Sequence, residues 1–232
     1  MGVAVVTGSR KGIGRAISER LLERGYLVYG CSRNDSDLRH RNYKHVCADV
    51  ADEEQIRQMS RMIRSESGNI DVLVNNAGIA SMNHSMLMPI DQVANVVKTN
   101  LIGTFNCSAQ FARLLRGATN GGRIVNFSTV AVPLHLEGEA AYAASKAGIE
   151  ELTKVMSREY APYGITCNAV GPTPVDTDLI ASVGEDRLAR LKERQAIKHF
   201  ATFDDIWNVV GFFISKDSAM ITGQVIYLGG VC

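Results

Sequence analysis

Tyr142 and Lys146 stand four residues apart in the run Tyr142-Ala143-Ala144-Ser145-Lys146-Ala147-Gly148. On a helix, that spacing puts both side chains on one face. Left alone, a phenol titrates near roughly 10 and a lysine ammonium near about 10.4, so neither is poised for proton transfer at neutral pH. A neighbouring ammonium favours tyrosinate and draws the phenol toward the range useful for acid–base work. A second chemically marked stretch, Thr7-Gly8-Ser9-Arg10-Lys11-Gly12-Ile13-Gly14, directly follows the apolar run Val3-Ala4-Val5-Val6. The apolar run reads as a buried strand. Its three glycines permit a tight turn with no side chains in the way of a phosphate. Ile13, Ala16, Ile17 and Leu21 then share a helical face, so free N–H groups and the helix dipole point at an anion.

The elements that must position these groups alternate along the chain. Strands are expected near 3–7, 26–31, 44–47, 70–75, 122–128, 164–170 and 224–228, and helices near 12–24, 52–66, 89–116, 139–161 and 204–215. Such alternation specifies an α/β fold with a parallel sheet, helices on both faces and right-handed crossovers. No repeat, low-complexity tract or linker interrupts it, so residues 1–232 are expected to form a single domain.

Composition narrows the function classes. Hydrophobic residues make up 46% and charged residues 21%, enough for a substantial core and against disorder. A net charge of +1 gives no nucleic-acid footprint. No apolar stretch reaches membrane-spanning length, and no charged segment precedes Val3 as in a signal peptide. A soluble, cytoplasmic protein is expected. Five scattered cysteines and five scattered histidines show no metal-ligand or redox spacing, so no metal is expected. Cys31, Cys47 and Cys167 fall in expected strands, where free cysteine acts as a small buried hydrophobe.

At the end of the second strand come Ser32 and Arg33, where a dinucleotide fold meets the adenosine ribose. An acidic residue there would repel a 2′-phosphate. Arg33, with Arg10 and Lys11 from the glycine turn, offers cations suited to one, so NADP(H) is expected in preference to NAD(H).

Further motifs run in a fixed order. Asp49-Val50 close the third strand, Asn75-Asn76-Ala77-Gly78 close the fourth, and Asn100 sits within the apolar face of Val93, Val96, Val97, Leu101 and Phe105. Ser128-Thr129 end the fifth strand, thirteen positions before Tyr142. Asn168 to Thr177 and Ile221 to Gly230 complete the series. Together with the three-then-one glycine spacing, this pattern resembles the short-chain dehydrogenase/reductase family across nearly the whole chain. It is most similar to 3-oxoacyl-[acyl-carrier-protein] reductases.

That resemblance implies a doubly wound Rossmann-type fold with a seven-stranded parallel sheet. It implies hydride transfer between nicotinamide and a carbonyl or secondary alcohol. Tyr142 would be the general acid or base, Lys146 would bind the nicotinamide ribose and tune Tyr142, and Asn100 would hold a relay water. Gly8, Ser9, Arg10, Lys11, Gly12, Ile13 and Gly14 would cradle the cofactor. Asp49 and Val50 would meet the adenine, and Asn76, Ala77 and Gly78 would border the cofactor. Pro172, Val175 and Thr177 would reach the nicotinamide end.

The family usually has serine at position 129. Thr129 keeps the hydroxyl, whereas strand alternation should turn Ser128 away from Tyr142. Thr173 and Pro174 replace the common sequence of that loop. Residues 178–200 would form a small lid over the substrate, and Met82, Met86 and Met88 are either cleft lining or core filling. Asn120 and Tyr163 are neutral where carrier-protein reductases often have cations.

The expected activity is NADPH-dependent reduction of a 3-oxoacyl-type or other small ketone. The alternatives are oxidation of a sugar-linked or other small alcohol, or a cofactor-binding regulator without turnover. A small-molecule substrate and a homotetramer or dimer are expected, with Cys232 either near the subunit interface or in a frayed terminus.

Overall fold

The computed structural model describes residues 1–175 and 184–231. Seven strands form one parallel sheet: β1 (Val3–Thr7), β2 (Leu27–Ser32), β3 (Tyr43–Cys47), β4 (Val72–Asn75), β5 (Arg123–Phe127), β6 (Thr166–Gly171) and β7 (Val225–Tyr227). Their order is β3-β2-β1-β4-β5-β6-β7. The direction of winding reverses between β1 and β4, which opens a crevice beyond the C-terminal ends of the strands.

The helices are α1 (Gly12–Glu23), α2 (Glu53–Ser67), α3 (Ile90–Val97), α4 (Gly103–Leu115), α5 (Ala131–Leu134), α6 (Ala140–Tyr160), α7 (Glu185–Glu193) and α8 (Phe203–Phe213). Strand alternation divides the core into two layers. On one face, Ala4 and Val6 pack with Ile17 and Leu21 of α1 and with Ile206 and Val210 of α8. On the other, Val5 packs with Ile56 and Met59 of α2 and Phe111 and Leu115 of α4. The start of α2 follows from its residues: the Asp52 carboxylate accepts the Gln55 N–H at 3.1 Å, and Glu53 and Glu54 complement the helix dipole.

Three elements differ from expectation. The helix expected over 89–116 is interrupted by a π turn, Lys98–Ile102, which separates α3 from α4 and holds Asn100. Helix α5 was not foreseen, since four residues carry no periodicity. Within the expected lid, α7 is a helix; residues 176–183 lie outside the described residues, and Thr177 with them, as does Cys232. Cys47 is exposed rather than buried, because β3 is an edge strand. Among the described residues no helix is long and apolar enough to cross a membrane.

Candidate active site

The glycine turn folds directly onto the end of β4. Gly8 has φ +67°, and a Cβ there would lie 2.9 Å from the Ala77 Cα. A Cβ on Gly14 would lie 2.4 Å from the Gly8 carbonyl oxygen. Only glycine fits either position. From the β4 side, the N–H groups of Asn76 and Ala77 both donate to Thr7 Oγ1 at 3.0 Å. Asn76 Nδ2 donates to the Thr7 and Gly8 carbonyls at 3.0 and 3.3 Å. The Asn-Ala-Gly segment thus sets the shape of the turn through its own hydrogen bonds.

A continuous cleft of about 1350 Å³ runs from this turn to Tyr142. Of the expected cofactor residues, Gly8, Arg10, Lys11, Gly12 and Ile13 line it at the turn, and Ser32, Arg33, Asp49 and Val50 at the β2–β3 end. Asn76, Ala77 and Gly78 border its middle, and Pro172 and Val175 its far wall. Two residues of the turn stand elsewhere. Ser9 is a correction: its N–H donates to the Cys31 carbonyl, and its hydroxyl lies 3.0 Å from the Tyr43 hydroxyl, so it is buried beneath the turn. Gly14 is likewise buried off the cleft, against Gly8 and Asn76.

The β2–β3 end offers cations but has a committed serine. Ser32 Oγ donates to the Asn34 carbonyl at 2.6 Å and contacts His45 Nε2 at 3.0 Å. Arg33 is exposed at the cleft edge, with Arg10 half-buried across from it on the turn. Arg10 and Lys11 of the turn and Arg33 after β2 thus bring three cations to this part of the cleft, with Asp35 nearby beside His45.

At the other end, α6 places Tyr142 and Lys146 on the cleft wall. Lys146 is buried, and its Nζ donates to the Phe127 carbonyl oxygen at the end of β5, at 2.7 Å. The same Nζ lies 5.9 Å from the centre of the Tyr142 ring. Burial pushes the Lys146 ammonium down to about 8. It pushes the Tyr142 phenol up to about 12, with Glu139 adding to the rise and the Thr129 hydroxyl, hydrogen-bonded to the phenol, opposing it. This corrects the expectation of a phenol made more acidic by Lys146. Withdrawal from water dominates, and the ammonium is directed at a carbonyl rather than at the phenolic oxygen.

Thr129 and Ser128 diverge at the end of β5. Thr129 Oγ1 faces Tyr142 and accepts the Ala131 N–H at 3.2 Å. Ser128 Oγ donates instead to the buried Glu150 carboxylate on α6. Tyr227 of β7 donates to the same Glu150 oxygen at 2.6 Å. This Ser128–Glu150–Tyr227 bridge ties three elements together behind the cleft; nothing in residue type or spacing announced it.

Asn100 is fully buried in the π turn. Its Oδ1 accepts the Ile79 N–H at 2.8 Å, and its Nδ2 donates to the Ile79 carbonyl at 3.0 Å and to Ser145 Oγ at 2.9 Å. It thereby locks the segment after Gly78 to α6, one residue before Lys146. Of the three methionines, Met82 lines the cleft, whereas Met86 is 86% exposed.

Among the described residues one trio, Asp35, His45 and Cys47, gathers potential metal ligands. His45 is already committed through both ring nitrogens, Nδ1 to the Tyr43 hydroxyl at 2.9 Å and Nε2 to Ser32 and Asn34.

A glycine turn, a cleft at the sheet reversal and a Tyr-x-x-x-Lys pair at its end have close counterparts among known proteins. The short chain dehydrogenase profile matches residues 2–188. The chain belongs to the short-chain dehydrogenase family. It is 36% identical to a 3-oxoacyl-[acyl-carrier-protein] reductase of Staphylococcus epidermidis, over 98% of this chain and 97% of that one. It is 34% identical to the Escherichia coli reductase of the same name, over 98% and 96%. Among solved structures, the aldohexose dehydrogenase of Thermoplasma acidophilum superposes with a TM-score of 0.90 at 30% identity, covering 99% of this chain and 93% of that one. A gluconate 5-dehydrogenase of Burkholderia cenocepacia, in complex with NADP and tartrate, gives 0.92 at 29% identity, covering 99% and 94%. This member of the short-chain family is therefore an NAD(P)-dependent oxidoreductase acting on CH–OH or C=O groups.

Proposed function

We propose that the chain reduces a small ketone to a secondary alcohol with NADPH, and that Tyr142 is its general acid. The observation behind this reading is geometric: Tyr142 stands on the cleft wall with Lys146 one helical turn further along α6 and the Thr129 hydroxyl beside its phenol. A phenol is protonated at neutral pH, the form that a reduction consumes. NADPH, when bound, supplies the hydride. The chain's own residues supply the rest. Thr129, on the phenol, orients the substrate oxygen toward Tyr142. Tyr142 delivers its proton to that oxygen as negative charge develops there. Lys146, still mostly an ammonium at pH 7, holds ribose hydroxyls and favours the tyrosinate left behind. Asn100 fixes the segment bordering Lys146.

NADPH over NADH rests on Arg10, Lys11 and Arg33 at the β2–β3 end of the cleft, and the NADP complex of the Burkholderia relative agrees with it. Val175 and Thr177 are proposed for the nicotinamide end, and residues 178–200 for the lid. A single domain, an assembly of two or four copies and a cytoplasmic setting complete the reading. Exposed Ile102 and Phe105, close to and on α4, and Val155 on α6 are apolar residues such an assembly would cover.

NADPH oxidation measured over thioester, quinone, sugar and steroid ketones tests the proposal, with Tyr142→Phe as control. Turnover that survives this substitution would remove Tyr142 as the acid. Equal or better use of NADH would remove the cofactor assignment.

A further inference from the structure

His45 of β3 closes a hydrogen-bonded chain between the glycine turn and the loop that follows β2. Strand alternation puts Tyr43, His45 and Cys47 on one face of the sheet edge. β2 runs parallel beside them, with Gly30 opposite His45 and Ser32 opposite Cys47. Gly30 leaves the room the chain needs, since a Cβ there would lie 2.2 Å from the Tyr43 hydroxyl oxygen and 2.4 Å from Ser9 Oγ. From the buried Ser9 hydroxyl the chain runs 3.0 Å to the Tyr43 hydroxyl and 2.9 Å on to His45 Nδ1. On the other side of the ring, His45 Nε2 lies 3.0 Å from Ser32 Oγ and 3.0 Å from the Asn34 carbonyl oxygen.

The partners fix where the hydrogens are. A carbonyl oxygen only accepts, so Nε2 carries the hydrogen that reaches Asn34. Ser32 Oγ donates its own hydrogen to that same carbonyl, at 2.6 Å. In the neutral ring Nδ1 then holds a lone pair, which accepts the Tyr43 hydroxyl, and Tyr43 accepts from Ser9 in turn. Arg33 lies between two residues held by this one nitrogen, and Ser32, Arg33 and Asn34 all line the cleft. Asp35, next along, stands outside that lining. Its carboxylate accepts the Ser36 N–H at 2.8 Å and comes within 4.8 Å of a His45 ring nitrogen. A loop released from His45 would loosen Arg33 and free a carboxylate to turn toward the cleft. Both changes oppose a 2′-phosphate, and neither opposes a 2′-hydroxyl.

Resting on the NADPH reading above, we propose that His45 is a positioning residue for cofactor choice: its Nε2–H holds the Ser32–Asn34 segment so that Arg33, and not Asp35, meets the 2′-phosphate.

Fluorescence titrations with NADPH and NADH, and competition by 2′,5′-ADP and 5′-AMP, measure the preference. His45→Leu removes both ring contacts, His45→Asn keeps an acceptor near the Nδ1 position, and His45→Gln keeps a donor directed at Asn34. The wild type should favour the 2′-phosphorylated member of each pair. His45→Leu and His45→Asn should lower that preference by about 3- to 10-fold, the net worth of one hydrogen bond. The loss should fall on NADPH and 2′,5′-ADP, with NADH and 5′-AMP little changed, and should appear in KM rather than kcat. His45→Gln should restore most of the preference. His45→Asn carries the test should the leucine variant fail to fold.

An equal weakening of both members of each pair overturns the proposal and leaves the NADPH reading standing, since it would make His45 a structural support of the β2–β3 edge. So does an unchanged preference, or a glutamine variant no better than the asparagine one. A wild type that binds NADH as tightly as NADPH overturns both.

Discussion

Lys146 Nζ is directed at the Phe127 carbonyl oxygen, 2.7 Å away, and not at the Tyr142 phenol, whose ring centre is 5.9 Å from it. The two members of the proposed catalytic pair therefore share a helical face but reach different partners. Burial shifts them in opposite directions, the phenol up to about 12 and the ammonium down to about 8. Each shift favours the neutral form, and each has a separate consequence for the pH dependence.

For Tyr142, the acid form persists through neutral pH. Reduction is expected to be insensitive to this group between pH 6 and 9, whereas oxidation of the matching alcohol should rise with pH, since it needs the tyrosinate. Tyr142→Phe should lower the reduction rate by about 10²- to 10⁴-fold, the usual contribution of a positioned acid. Steady-state pH profiles in both directions check this. Oxidation that is flat with pH would show that the phenol is not the proton acceptor.

For Lys146, a folded-state value near 8 means that the ammonium is lost as pH rises through that value in the cofactor-free enzyme. NADPH affinity should weaken over the same interval if this charge holds the ribose. Fluorescence titrations of NADPH from pH 6 to 10 measure it. With Lys146→Arg, whose side chain stays charged, the weakening near pH 8 should disappear.

These titrations also show how far the sequence could be read. Tyr142 and Lys146 were legible because their spacing maps onto one helical turn, and the sheet because apolar runs alternate with helical periods. Their pKa directions were not legible. They depend on how completely β5 and α6 close over the pair, which pair spacing does not encode. Ser9 misled for a related reason: a motif names a position, but only the partner strand shows that Tyr43 claims its hydroxyl. Glu150 carries no spacing signal at all and becomes visible only where β5, α6 and β7 meet.

Cofactor preference should follow charge at the β2–β3 end. Arg33 is exposed there, and Ser32 has spent its hydroxyl on Asn34 and His45. Arg33→Ser should raise the KM for NADPH by about 10-fold, the lower range for a hydrogen bond to a charged group, and change the KM for NADH little. Adding Arg10→Ser should widen the gap. A parallel loss with both cofactors would place these cations outside the 2′-phosphate site.

Asn100 has both ends of its amide on one peptide segment, Oδ1 on the Ile79 N–H and Nδ2 on the Ile79 carbonyl. Asn100→Ala would leave these partly buried backbone groups without their partner, a cost toward the low end of the about 1–3 kcal/mol of a buried unsatisfied group. A lower urea midpoint is expected, together with lost turnover as the segment after Gly78 loosens beside Lys146. Asn100→Ser, which keeps a hydroxyl but cannot span both groups, should recover stability only in part.

Adjacent hydroxyls at the end of β5 separate catalysis from architecture. Thr129 faces the phenol, whereas Ser128 donates to the buried Glu150, which also receives the Tyr227 hydroxyl. Thr129→Val keeps the shape and removes the donor beside the substrate oxygen, so kcat should fall by about 10²-fold with folding intact. Ser128→Ala should leave most turnover in place and instead destabilise the fold by about 1–3 kcal/mol, because Glu150 remains buried with one donor fewer. Thermal denaturation and NADPH oxidation on the two variants distinguish these outcomes. Should Ser128→Ala abolish turnover while Thr129→Val spares it, the register at the end of β5 would have to be reassigned.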